Sequence, residues 1–61
     1  MFSTRQVNLL NKVLRLGDSR RANIAANISR QYGGMSQKQQ QMLEEMVVEI
    51  GAERSADIVM R

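Results

Sequence analysis

Arg20, Asn23, Asn27 and Arg30 stand at spacings of three, four and three residues. At about 100° per residue, that pattern gathers them on one side of a helix. Guanidinium forks grip phosphate through paired N–H donors, and carboxamides bond to phosphate, sugar or base edges. The chemistry on offer is recognition of a polyanion, and no acid follows Asp18 on this segment to compete with it. Lys38 extends the set from the start of a later helix, where free amides already attract anions. Lys12 and Arg15 extend it from the polar side of the first helix. Asn8, Asn11, Gln37, Gln40 and Gln41 continue an amide-rich, acid-poor surface. The competing reading is an ordinary solvated helix face. Arg21 projects towards the apolar side, where snorkelling or a partner contact suits it as well as a phosphate does.

Other chemistries lack their residues. The 61-residue chain has no Cys, His, Trp or Pro, which removes structural zinc, disulfides, thiol nucleophiles and imidazole bases together. Glu44, Glu45 and Glu49 have no histidine, cysteine or Gly-rich phosphate loop beside them. They make no recognisable acid–base or metal constellation and read as solvated helix surface. The expectation is a protein that is not an enzyme and holds no metal or cofactor. Phe2 and Tyr32 are the only aromatic residues, too few for the platforms on which OB and RRM folds stack successive bases.

The elements that must position these groups are helices. With no proline and with glycine only at positions 17, 33, 34 and 51, the chain divides into three helical segments and a tail. We expect an all-α fold: one small domain over residues 1–61, a compact bundle of helices at roughly 4–16, 19–32 and 37–50. A short fourth helix over 53–60 completes it, packing weakly through Ala52, Ala56, Val59 and Met60. Val7, Leu10 and Val13 or Leu14 mark the inner stripe of the first helix, with Leu9 and Leu16 widening it. Ser3 or Thr4 suits its cap, and Gly17 suits a left-handed residue that ends it. Asp18 or Ser19 caps the second helix, on which Ile24, Ile28 and Tyr32 form an i, i+4, i+8 ridge. Ser36-Gln37-Lys38-Gln39 has the S-x-x-Q capping-box pattern. The third helix then presents Leu43, Met46, Val47 and Ile50 inward, with Met42 at the margin, and Gly51 stops it.

Charge divides along the chain. Residues 1–38 hold seven basic residues against Asp18 alone, +6 in all, whereas residues 39–61 hold two basic residues against five acids, −3. A helix-turn-helix with Gln37, Lys38, Gln40 and Gln41 in a major groove is a weaker fit. The Gly-Gly connection leaves its helix angle open, and Glu44, Glu45 and Glu49 face a phosphate backbone poorly. No segment approaches the roughly 20 apolar residues of a membrane span. Arg5, Gln6, Asn8, Asn11, Lys12 and Arg15 interrupt any apolar run like that of a signal peptide, so a cytoplasmic location without membrane contact is expected.

The stretch Arg20-Arg21-Ala22, Ile24, Ile28, then Gln31 through Gln39 (QYGGMSQKQ) resembles a helix, Gly, Leu/Met-Ser-x-Lys-Gln, helix segment found in phage and bacterial proteins that handle DNA. It covers about a third of the chain and departs from the pattern at Met35, where leucine is more usual. Taken whole, the chain is similar to the small accessory proteins encoded beside the UvsW recombination helicase of T4-like phages. That resemblance implies a helical protein of the host cytoplasm, associated with a helicase in recombination, repair and replication. It implies contact with single-stranded or branched DNA, or assistance to the helicase. It transfers no catalytic site. Two functions follow as expectations. The first is low-specificity binding of nucleic-acid backbone through Arg20, Asn23, Asn27, Arg30, Lys38, Lys12 and Arg15. The second is an adaptor that docks on a helicase or another DNA-processing protein without touching DNA.

Overall fold

The computed structural model describes residues 1–59, with side chains as far as Ala56. Its elements are α1 (Thr4–Leu16), α2 (Ser19–Ser29) and α3 (Gln37–Val59), and no strand occurs among the described residues. Capping chemistry fixes each start. Ser3 and Gln6 exchange side-chain and backbone hydrogen bonds in a capping box before α1. Asp18 accepts the Arg21 amide at 2.9 Å before α2. Ser36 and Gln39 form the expected capping box before α3, at 3.0 and 3.1 Å.

Cross-chain contacts give the topology. Arg5 meets Glu44 and Gln6 meets Gln40, while Leu16 lies beside Ile50 and Gly51, so α1 and α3 run parallel. Arg21 meets Glu49 and Glu53 whereas Gln31 meets Gln39, so α2 runs back between the ends of α3. This antiparallel return differs from the steep crossing of a helix-turn-helix pair. Among the described residues the core is seven side chains: Leu10 and Val13 from α1, Ala25 and Ile28 from α2, and Leu43, Met46 and Ile50 from α3. Phe2, Leu9, Ile24, Met35, Met42 and Val47 pack around it. On α1, Val13 rather than Leu14 takes the inner position, Leu9 is half-buried, and Val7 and Leu16, expected on the inner stripe, lie at its exposed edge.

Three expectations are corrected. The second helix ends at Ser29, not Tyr32: the Arg30 and Gln31 amides bond to carbonyls three residues back, and the Ser29 hydroxyl donates to the Ala26 carbonyl at 2.7 Å. These bonds tighten and close the last turn. Tyr32 therefore leaves the ridge and stands wholly in solvent, just before Gly33 and Gly34, whose φ values of 82° and 94° suit glycine alone. Gly17 ends α1 in an extended conformation, φ −78° and ψ 161°, rather than a left-handed one. Glycine is needed there for closeness, since a Cβ would sit 2.7 Å from the Val13 carbonyl oxygen and 3.1 Å from Arg21 Cβ.

Gly51 does not stop α3, which continues to Val59, so the expected fourth helix is an extension of the third. A helix already under way escapes the nucleation cost. One glycine penalises it by only about 1 kcal/mol, and Ala52, Glu53, Arg54 and Ala56 favour continuation. The last position of that expected element, Met60, lies outside the described residues.

Leu43 has no exposed surface, whereas Tyr32 is fully exposed. Truncating a buried leucine to alanine costs roughly 2–5 kcal/mol. At roughly 0.05–0.15 kcal/mol per residue, that is much of what a domain of this size has in total. Leu43→Ala is expected to abolish or sharply lower the cooperative thermal transition followed by circular dichroism. Tyr32→Ala should leave the midpoint almost where it was.

Candidate nucleic-acid interface

The side chains expected to contact phosphate are all exposed: Lys12 and Arg15 on α1, Arg20, Asn23 and Asn27 on α2, Arg30 at its C-cap, and Lys38 in the first turn of α3. The fold does not gather them into one patch. The antiparallel return of α2 brings Arg30 to the end of the bundle where α3 begins. There the neighbouring Gln31 amide bonds to Gln39 at 3.2 Å, next to Lys38. The opposite end holds the α1–α2 turn, with Arg15 and Arg20 on either side of it. Asn8, Asn11, Lys12 and Arg15 line one shallow groove along α1, as their spacing suggests. Arg20 instead edges the cleft between α2 and α3, where it neighbours Asp18, Arg21 and Glu49. Asn23 and Asn27 lie between the two ends, on the α2 face.

Ion pairing sorts the cations. Arg21 reaches from α2 to α3, placing its guanidinium 3.0 Å from one Glu53 oxygen, 3.2 Å from the other and 3.4 Å from Glu49. The Glu53 hydrogen bond holds the Arg21 pKa above the ordinary arginine value. A raised folded-state pKa leaves the contribution intact at neutral pH and loses it only on strongly alkaline titration. Arg5 pairs with Glu44 at 3.2 Å. Among the described residues, Lys12, Arg15, Arg20, Arg30 and Lys38 make no ion pair. Glu44, Glu49 and Glu53 of α3 are thus taken up by the two arginines outside the candidate set, while Glu45 makes no ion pair among the described residues.

Two amides are also taken up. Gln40, expected on the open polar surface, is half-buried and accepts from Gln6 at 2.9 Å, while Gln39 serves both its cap and Gln31. Gln37 and Gln41 remain exposed. Two further groups join the surface that spacing alone left out. Tyr32 stands in solvent in the connection between Arg30 and Lys38. Arg54, counted with the acidic half of the sequence, shares a groove with Lys12. Local helix-ending bonds released the tyrosine, and continuation of α3 past Gly51 placed the arginine. Neither is visible in a residue-type pattern. No group of His, Cys, Asp and Glu side chains suited to a metal occurs among the described residues, and no described helix is long and apolar enough to cross a membrane.

Arg5 and Arg21 therefore have structural duties that the other cations lack. Arg21→Ala is expected to lower the denaturant midpoint, because it strips the polar link between two helices that otherwise touch little. Arg5→Ala should cost under about 1 kcal/mol, as exposed pairs do. Arg20→Ala and Lys38→Ala should leave stability unchanged. Chemical denaturation of the four variants checks this order.

Comparison with protein-family models, with curated proteins and with solved structures finds no match to this chain.

Proposed function

We propose that this protein is a non-enzymatic helical module that binds nucleic-acid backbone with low sequence specificity. The observation that carries the reading is the sorting of its cations: Arg5 and Arg21 pair with Glu44, Glu49 and Glu53 of α3, while among the described residues Lys12, Arg15, Arg20, Arg30 and Lys38 stay exposed and without ion pairs. Their arrangement suits phosphate contacts more than base readout. They are spread along the bundle, Arg20 and Arg30 roughly 15 Å apart at 1.5 Å of rise per residue, spaced to follow a backbone rather than converging on one base edge. Asn23 and Asn27 add neutral donors and acceptors on the α2 face between the end groups. Tyr32, between Arg30 and Lys38, offers one ring on which an unpaired base can stack.

The resemblance to accessory proteins encoded beside a phage recombination helicase agrees with this chemistry and points to single-stranded or branched DNA. It carries no weight about catalysis. The adaptor reading becomes the outcome if nucleic acid fails to bind.

Titration of labelled single-stranded, duplex and forked DNA at two salt concentrations tests the proposal. Affinity should fall with salt, log K against log[salt] having a slope near −0.9 per phosphate neutralised on duplex and about −0.7 on single strands. Replacing Arg20 and Arg30 together with Ala should weaken binding on every sequence, and Lys38→Ala should flatten the slope by about one. Arg5→Ala should spare affinity, because that arginine is held by Glu44. Unchanged affinity in the Arg20/Arg30 variant, or binding that ignores salt, would overturn this assignment.

A further inference from the structure

Gly51 sits inside α3, exposed, with a negative φ, and a Cβ built on it would meet nothing within 4 Å. Glycine inside a helix costs stability relative to alanine, and nothing in the protomer requires its smallness. Such a glycine suits close approach by something outside the protomer. It lines a mostly apolar groove between α1 and α3, with Leu16, Val47 and Ile50 beside it and Lys12 and Arg54 at the rim. Ile50 is the last buried residue of α3, and Gly51 through Ala56 are all exposed. The helix therefore runs on past the bundle without cover from its own chain.

A complement to that groove exists on the adjacent face of the same helix. Val48, 70% exposed, is surrounded by Glu44, Glu45 and Glu49. Glu44 and Glu49 pair with arginines of their own protomer, whereas Glu45 makes no ion pair among the described residues. One surface is thus an apolar groove with a basic rim, and the other is an apolar knob with an acidic rim.

We infer that two copies of this chain associate through α3, antiparallel, about a two-fold axis at Gly51. Residues 48 and 54 lie three positions on either side of Gly51, so this crossing sets Val48 of each copy beside Arg54 of the other. Arg54 of each copy then stands one helical turn from Glu45 of the other, although the same register sets position 45 against position 57, both acidic in the sequence. A parallel pairing in the same register would set Arg54 against Arg54 and is disfavoured by charge. The interface is isologous, each contact occurring twice, and it closes at two copies. Close backbone approach at the crossing gives Gly51 its purpose, and the partner helix covers the exposed segment.

Sedimentation equilibrium of the full chain from micromolar to millimolar concentration provides the test. Mass should rise from 6.9 kDa towards twice that value. A Gly51→Leu chain keeps its helicity, since leucine favours helix, but its dissociation constant should rise at least tenfold. Arg54→Glu alone and Glu45→Arg alone should each remain monomeric, because both contacts then oppose like charges. An equimolar mixture of the two should associate, because in the mixed pair both contacts become attractive. Should Gly51→Leu fail to fold, this charge exchange still decides the matter. A mass of 6.9 kDa at every concentration, assembly beyond two copies, association indifferent to Gly51→Leu, or a mixture that stays monomeric would each overturn the inference.

Discussion

α1 packs against both other helices through Leu10 and Val13, and the rest of the structure hangs on that shared contact. α2 and α3 touch each other comparatively little, so each is held chiefly by α1 rather than by a continuous three-way seam. A chain of this length buries few side chains, and among the described residues seven are buried. What apolar packing leaves undone between α2 and α3 is completed by polar contacts at the two ends of α2. Arg21 reaches Glu49 and Glu53 at one end, and Gln31 reaches Gln39 at the other. The tight passage at Gly17 belongs to the same constraint: the α1–α2 turn runs so close to Val13 and Arg21 that no Cβ fits.

That economy decides the surface. A bundle short of apolar area uses charged and amide side chains as struts, and each group so used is withdrawn from any partner. Arg5, Arg21, Gln6, Gln39 and Gln40 are spent in this way. The cations left over are those that no described acid pairs with, Arg20 and Lys12 among them although they edge the clefts beside α3. The +6 and −3 halves of the sequence thus become, in three dimensions, a partial pairing through Arg5 and Arg21 plus exposed positive charge at both ends of α2. Exposed ion pairs contribute little to stability individually, yet they determine where the uncompensated charge lies.

The legible parts of this fold were those governed by local chemistry. Ser36 with Gln39, Asp18 with the Arg21 amide, and the i, i+3, i+7 sequence Leu43, Met46, Ile50 all act within a turn or two of one helix, and each appears as read. The misread positions, Tyr32, Gly17 and Gly51, are those where competing local bonds or tertiary closeness decide. Ile24 and Ile28 predict the ridge correctly, but its continuation to Tyr32 required α2 to outlast the bonds that close it at Ser29. Gly17 and Gly51 look alike in sequence as helix stops. One is wedged against a neighbouring backbone and side chain and the other faces open space, a distinction made only by packing. Arg21 was half legible: its direction follows from the helix wheel, but its partners are 28 and 32 residues away.

Lys12 belongs to both proposed surfaces. It lines the polar groove of α1 with Asn8, Asn11 and Arg15, and it also rims the α1–α3 groove with Arg54. A single ammonium on a flexible stem serves an acid-rimmed partner helix or a phosphate, but a close pairing with one weakens its attraction for the other. Arg20, Arg30 and Lys38 line neither of these grooves. If both proposals hold, self-association and backbone binding would compete at Lys12 and leave the groups at the α3 N-terminal end unaffected. In the antiparallel pair the two copies of that end point in opposite directions, away from the Gly51 crossing. Pairing would then convert one short bundle with few phosphate contacts into a longer particle with two cationic tips, without adding a residue to the chain.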